Sequence, residues 1–149
     1  MNEYPACTVE QEGNIPQVVC KENGRVFHLT NKSNYYIQKI KVDNYLIKNG
    51  VKCDYAIDLC KAKTDNSAAS IYLVELKGVD KSHACEQILT TYSYFCQNNY
   101  KTDIFHCRIV LSKDSAPHLF SSNQKRLMQL EKQKKLDLDI KCRRCEEVI

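Results

Sequence analysis

Two apolar segments joined by a polar connection constrain the fold of this chain more than any other feature. Residues 53–58 read CDYAID, and residues 71–78 read IYLVELKG. β-Branched, aromatic and aliphatic residues suit extended chain, whereas the polar residues 63–67 between the segments suit a turn. We therefore predict an antiparallel β-hairpin that turns near residues 64–67.

The charged residues of this hairpin are expected to meet on one face. Side chains two residues apart on a strand share a face, so Glu75 and Lys77 point the same way. A register that pairs Asp54 with Glu75 places their Cβ atoms about 5 Å apart. Carboxylates that close repel each other unless a cation lies between them or one is protonated. Asp58 lies about 13 Å further along the strand and is a poorer ligand candidate.

Two carboxylates and a lysine at one point on a sheet suit a divalent metal and a phosphodiester. Carboxylate oxygens are hard ligands of the kind that Mg²⁺ and Mn²⁺ prefer. Lys77 would then stabilise charge at the attacked phosphate or orient the attacking water. The alternative is an ordinary solvent-exposed hairpin face, where such charges are common. Gly78 favours the functional interpretation, because it ends the strand where a ligand can approach the backbone.

These residues resemble the motif of the PD-(D/E)XK nuclease superfamily. Its restriction-endonuclease-like core carries an aspartate, a hairpin return and then Glu-x-Lys, and Cys53 stands where the pattern has a proline. The resemblance covers about residues 42–96 and extends to the helix that follows the Glu-x-Lys strand. On that helix, Gln87 matches a glutamine that faces the site in some members.

The resemblance implies an α/β fold with a restriction-endonuclease-like central mixed sheet flanked by two helices, here with an extra N-terminal β-meander. It implies a metal-dependent nuclease that hydrolyses phosphodiester bonds, with DNA as the expected substrate. Asp54 and Glu75 would ligate Mg²⁺ or Mn²⁺ together with the carbonyl group of Leu76. Lys77 would assist the attacking water or the transition-state charge, and Gln87 would position either.

The chain is long enough for one domain, residues 1–149, with its own core. We divide it into a β-rich extension (1–41), a metal-site core (42–112) and a C-terminal helix and edge strand (113–149). Residues 32–39 suit extended chain or a short helix. The other predicted elements are strands at 17–20, 25–29, 37–42, 45–47 and 104–112, a helix from about 80 to 98, a helix from about 115 to 135, and an edge strand at 136–140.

Both helix starts carry recognisable signals. Asp80 or Ser82 is the expected N-cap of the first helix, and the free backbone N–H groups of its first turn suit a phosphate. Lys81, Ser82 and His83 are therefore the candidate nucleic-acid-binding residues, although an exposed first-turn histidine needs no such role. Pro117 predicts the start of the second helix. Its buried face would carry Leu119, Leu127 and Leu130, and its basic residues would lie on the solvated face.

Charge and hydropathy restrict the partners and the cellular compartment that we expect. The net charge of +4 permits a polyanionic partner without requiring one. The N-terminus shows no basic region followed by an apolar run, and no segment is apolar enough to span a bilayer, so we expect no membrane partner and a cytoplasmic protein. The small size, without a separate DNA-reading segment, predicts a homodimer or a partner subunit.

Nine cysteines at irregular spacings predict reduced thiols and no disulfide framework. Four are expected to be mostly buried, namely Cys60, Cys85, Cys96 and Cys107. Cys142 and Cys145 have the spacing of a zinc knuckle, but zinc needs two further ligands. Cys7 and Cys20 would supply these only if the termini meet, and two thiols in a tail are the simpler alternative.

Two rival functions stay open at this point. The first is a catalytically silent subunit with the nuclease fold that binds in a protein or nucleic-acid complex. The second, which depends on the cysteines, is a zinc-binding regulator. The presence of all three of Asp54, Glu75 and Lys77 favours the enzyme, because a chain freed from catalysis need not keep them.

Overall fold

The computed structural model describes residues 1–64 and 68–149 and has an α/β fold. A single 3₁₀ turn, Ala6–Thr8, precedes the first strand. The regular elements are β1 (Val9–Gly13), β2 (Gln17–Glu22), β3 (Arg25–Thr30), β4 (Tyr36–Lys41), β5 (Tyr55–Cys60), β6 (Ala68–Lys77), α1 (Lys81–Gln97), β7 (Phe105–Leu111), α2 (Ser122–Lys132), β8 (Leu136–Cys142) and β9 (Arg144–Val148).

A six-stranded mixed sheet forms the centre of the fold, with the strand order β1-β4-β5-β6-β7-β8. The pairs β1/β4, β4/β5 and β5/β6 are antiparallel, whereas β6/β7 and β7/β8 are parallel. Parallel neighbours need a crossover connection, and α1 and α2 supply the two that this sheet requires. The predicted α/β class, with a mixed sheet and two helices, is confirmed.

The two helices pack on one face of the central sheet. Strand residues of alternate positions, such as Ile71, Leu73 and Ile109, form a core with Ile88 of α1 and Leu127 of α2. Because side chains alternate across a strand, odd-numbered residues of β6 face the helices. Glu75 and Lys77 have the same parity as Leu73, so β6 directs them towards the helical side.

A second, three-stranded sheet covers the opposite face. Its order is β2-β3-β9, in which β2 and β3 are antiparallel and β9 is parallel to β3. Phe27 of β3 packs with Tyr72 and Val74 of the central sheet. Asn23 and Gly24, both with positive φ (45° and 81°), form the predicted tight turn between β2 and β3. The fold is therefore three layers deep, and this sheet is the predicted N-terminal hairpin completed by β9.

A buried arginine joins the two sheets on this side. Arg108 of β7 is 4% exposed and pairs with Glu147 of β9 and with Asp137 of β8, the latter at 2.6 Å. Its guanidinium group also lies 5.5 Å from the ring centroid of Tyr72. Arg108 therefore links three strands from two sheets. Its charge can be buried because two carboxylates and the ring of Tyr72 surround the guanidinium group.

The second helix begins later than predicted. α2 starts at Ser122 after the N-cap Ser121, whose hydroxyl oxygen accepts a hydrogen bond from the N–H of Gln124. The segment from Ser115 onwards forms a loop instead, because the ammonium group of Lys81 binds Asp114 and the carbonyl of Ala116, each at 3.0 Å. Leu119 is consequently 72% exposed, so its predicted burial is wrong.

The structure differs from the predicted strands at several positions. Residues 45–47 form a turn with an isolated bridge between Asp43 and Ile47, not a strand. Of the two alternatives for residues 32–39, extended chain is confirmed and the short helix is wrong, because Tyr36–Lys41 is β4 and pairs on both sides. β1 and β9 were not predicted. No helix in the described residues is long and apolar enough to cross a bilayer.

None of the nine cysteines, all of which lie in the described residues, forms a disulfide bond. Cys60, Cys85 and Cys107 are buried as predicted, but Cys96 is exposed because it lies in the last turn of α1, beside the inward-facing Phe95. Cys145 is buried in the core under the three-stranded sheet, while Cys142 is exposed. Two thiols so differently placed do not resemble the exposed pair of a zinc knuckle.

Candidate metal and phosphate site

The β5/β6 hairpin brings Asp54 opposite Glu75. Tyr55 pairs with Val74 across the hairpin, and one further step along the same register aligns Asp54 with Glu75. The backbone N–H of Leu76 donates a 2.8 Å hydrogen bond to Oδ2 of Asp54. This is the register expected from the sequence; most of its predicted turn, residues 65–67, lies outside the described residues.

Glu75 is the most unusual member of the pair. It is 2% exposed, and its Oε2 atom is buried without a hydrogen-bond partner among the described residues. Buried polar atoms in folded proteins almost always have a partner, so an orphaned carboxylate oxygen needs an explanation. A bound cation would satisfy it.

Burial raises the pKa of both carboxyl groups, and the charge of Asp54 raises that of Glu75 further. The pKa of Glu75 is raised to about 9, first by burial and then by the charge of Asp54, while Lys77 lowers it. The pKa of Asp54 is raised to about 6, again mainly by burial; the N–H of Leu76 and the charge of Lys77 act in the opposite direction. Lys77 is therefore within electrostatic reach of both groups. Without a cation, Glu75 keeps its proton at neutral pH.

These shifts predict a pH dependence of stability. The folded protein holds the Glu75 proton more tightly than the unfolded chain, in which the pKa is the ordinary 4.5. The free energy of unfolding should therefore fall as pH rises towards 9, by at most about 1.4 kcal/mol per pH unit for one proton and by roughly 2 kcal/mol between pH 6 and 8. Urea denaturation of the metal-free protein at several pH values measures this change in the free energy of unfolding.

Glu75→Gln should remove most of this slope, whereas replacing the exposed Glu3 by glutamine should keep it. Saturating Mg²⁺ should flatten the wild-type slope, because a cation favours the ionised carboxylates. Identical slopes for the wild type and Glu75→Gln would show that Glu75 does not titrate in this range.

Helix α1 fixes the backbone that leads into Asp54. Nε2 of Gln87 donates a 3.0 Å hydrogen bond to the carbonyl of Lys52, and the N–H of Cys53 donates to Oγ1 of Thr91 at 2.8 Å. Thr91 in turn donates to the carbonyl of Gln87. The structure thus places Gln87 beside the Asp54 segment through the backbone of Lys52. Thr91 was missed from the sequence, and its signal was its position one helical turn after Gln87.

The first turn of α1 makes contacts of its own. Lys81 binds Asp114 and Ala116, as described above, and Nδ1 of His83 lies 3.2 Å from Glu86. Oδ1 of the N-cap Asp80 accepts the N–H of His83, and Ser82 is exposed. Among the described residues, none of the three predicted nucleic-acid-binding side chains has a hydrogen bond or ion pair with Asp54, Glu75 or Lys77.

Asp58 has a separate structural environment. Its Oδ2 atom accepts hydrogen bonds from Nδ2 of Asn2 at 2.8 Å and from the hydroxyl of Tyr4 at 2.7 Å. These bonds tie the N-terminal segment to β5. A cavity of about 570 Å³ lies beside that segment and includes none of the predicted site residues, whereas a second cavity, of about 280 Å³, is lined in part by Asp54.

Within residues 1–64 and 68–149, no group of three or more His, Cys, Asp or Glu side chains is arranged to hold a metal ion. The acidic part of the candidate site is therefore the Asp54–Glu75 pair. No protein-family model, curated protein or solved structure matches the chain.

Proposed function

We propose that this chain is a metal-dependent nuclease of the PD-(D/E)XK type that hydrolyses phosphodiester bonds, with DNA as the expected substrate. The observation that carries the proposal is the pairing of the partly buried Asp54 with the buried Glu75, whose Oε2 atom has no hydrogen-bond partner among the described residues. The order of β5, β6 and α1 also agrees with the superfamily pattern of aspartate, hairpin return, Glu-x-Lys and helix.

The donor set fits Mg²⁺ or Mn²⁺. Mg²⁺ is usually held by one or two carboxylates, with water and substrate phosphate completing its coordination, so a third acidic side chain is not required. Asp54 and Glu75 would hold the ion with the carbonyl group of Leu76. When bound, it would neutralise charge on the phosphate and promote ionisation of the attacking water.

The protein's own residues would do the remaining work. Lys77 shares a face with Glu75, and its charge acts on both carboxyl groups of the site. None of the ion pairs of the described residues involves Lys77, so its ammonium group is available to the phosphate. A positive charge held where negative charge develops lowers the barrier without reorganisation. Gln87 and Thr91 would keep the Asp54 segment in register by holding its backbone.

Calorimetric titration with Mg²⁺ and Mn²⁺ tests the metal site. Asp54→Asn should weaken binding by about 100-fold or more, since changes to groups that only orient a ligand already cost about 10–100-fold. Asp58→Asn is the matched control: it lies on the same strand, contacts Asn2 and Tyr4, and should leave metal affinity unchanged.

Equal metal affinity in the wild type and Asp54→Asn would contradict the site. Metal binding without cleavage of any nucleic acid would favour the silent binding subunit instead. The protein should be tested together with any subunit that co-purifies, because a partner or a second copy is part of the proposal.

A further inference from the structure

The cavity beside Asp54 has walls of a particular chemistry. Its volume is about 280 Å³, and it is lined by Asp54, Tyr45 and Tyr55 together with Lys21, Lys41 and Asn44. Tyr45 is 45% exposed, and the ammonium group of Lys41 lies 5.2 Å from the centroid of its ring. An aromatic face and cations therefore adjoin the candidate catalytic carboxylate.

Tyr45 lies on a hydrogen-bonded turn that packs against the core. The turn that carries it is closed by hydrogen bonds from the N–H of Asn44 to the carbonyl of Ile47 and from the N–H of Ile47 to the carbonyl of Val42. Leu46 and Ile47 pack against the core on the helical side. The next residue back, Asn44, adopts a positive φ of 62°. The turn is thus anchored by its apolar residues while Tyr45 remains outside.

The acidic residues that also line the cavity have partners. Glu22 pairs with Arg25 at 3.7 Å, and Asp43 pairs with Lys52 at 3.4 Å. Lys21 is exposed and has no ion pair within the described part of the chain. Lys41 shares Glu10 with Lys39. Two lysines and three carboxylates therefore line the cavity, and Lys21 is the lysine that no carboxylate of the described residues neutralises.

We infer that this cavity receives one unstacked nucleotide next to the scissile phosphate, with its base stacked on Tyr45 and its flanking phosphate near Lys21 and Lys41. The inference rests on the proposed nuclease function and adds the substrate class. Every base offers a π-face to an aromatic ring, so such a site is tolerant of sequence. A base inside a duplex is already stacked and must be extruded to enter. The preferred substrate is therefore single-stranded at the cleavage point.

Steady-state cleavage of one labelled strand, alone and in a blunt duplex, tests this in Mg²⁺. The wild type should have the lower KM for the single strand. Tyr45→Ala should raise that KM by about 5- to 150-fold with kcat little changed, as expected for loss of one base–aromatic stack. Tyr45→Phe, which keeps the ring, should stay close to wild type. If Tyr45→Ala lowers the melting temperature, Tyr45→Leu replaces it in the test, because leucine keeps the apolar bulk and lacks an aromatic face.

A binding measurement separates this inference from the function on which it rests. A single strand containing 2-aminopurine should be quenched by the Lys77→Ala protein and not by the Tyr45→Ala, Lys77→Ala double variant. Cleavage that is equally fast for the duplex, or unaffected by Tyr45→Ala, would overturn the nucleotide site and leave the nuclease standing. Tyr45-dependent quenching by a protein that never cleaves would support the nucleotide site and contradict the nuclease function.

Discussion

Replacing Lys77 by alanine is expected to lower the rate constant of metal-dependent DNA cleavage by about 10²–10³-fold while the fold stays intact. The reason is that Lys77 ends β6 and is only partly buried, so its loss removes charge at the reacting phosphate and little packing. Its charge acts on both carboxyl groups of the site. Single-turnover cleavage at saturating metal measures the effect.

Lys113→Ala is the matched control for this prediction. Lys113 follows β7, the strand next to β6, and is exposed. A loss of cleavage specific to Lys77, with an unchanged melting temperature, would support its catalytic role. If both lysines reduce cleavage equally, each contributes only general attraction for a polyanion, and the role proposed for Lys77 is wrong.

Arg108→Met is expected to reduce the free energy of unfolding by about 3 kcal/mol, at the lower end of the effect of breaking a buried ion pair. The arginine is 4% exposed, and its removal leaves Glu147 without its cation beneath the three-stranded sheet. Partial exposure of Asp137 and Glu147 moderates the cost, because water can reach them. Urea denaturation at neutral pH gives the value.

Arg144→Ala provides the comparison, since Arg144 pairs with Glu146 on the outer surface of β9. Exposed ion pairs contribute little to stability, so this variant should unfold close to wild type. Similar losses for the two arginines would contradict the conclusion that Arg108 fastens the two sheets together.

The central hairpin was predictable because its signals are local. Alternation of side chains fixed the faces of β5 and β6, and Asn23-Gly24 fixed the turn between β2 and β3. The start of α2 was not predictable, because a long-range contact from Lys81 holds Asp114 in the loop that precedes it. The pairing of β9 with β3 likewise depends on residues more than a hundred positions apart.

In the candidate site, too, some features were predictable from the local sequence and others depend on the tertiary fold. Asp54, Glu75 and Lys77 follow from spacing on two strands, as does their shared face. Burial of Glu75 depends on the helical layer above the sheet, so its raised pKa could not be read from the sequence. The backbone contact of Thr91 and the position of Tyr45 at the cavity also require the tertiary fold.

The most direct test of the central claim is cleavage of labelled DNA by the purified protein in Mg²⁺ or Mn²⁺. We predict strand scission that needs the metal, stops on chelation, and falls sharply in both Lys77→Ala and Asp54→Asn. DNA that is bound but never cut, with each divalent metal tried and with any co-purifying partner present, would contradict the assignment of a nuclease.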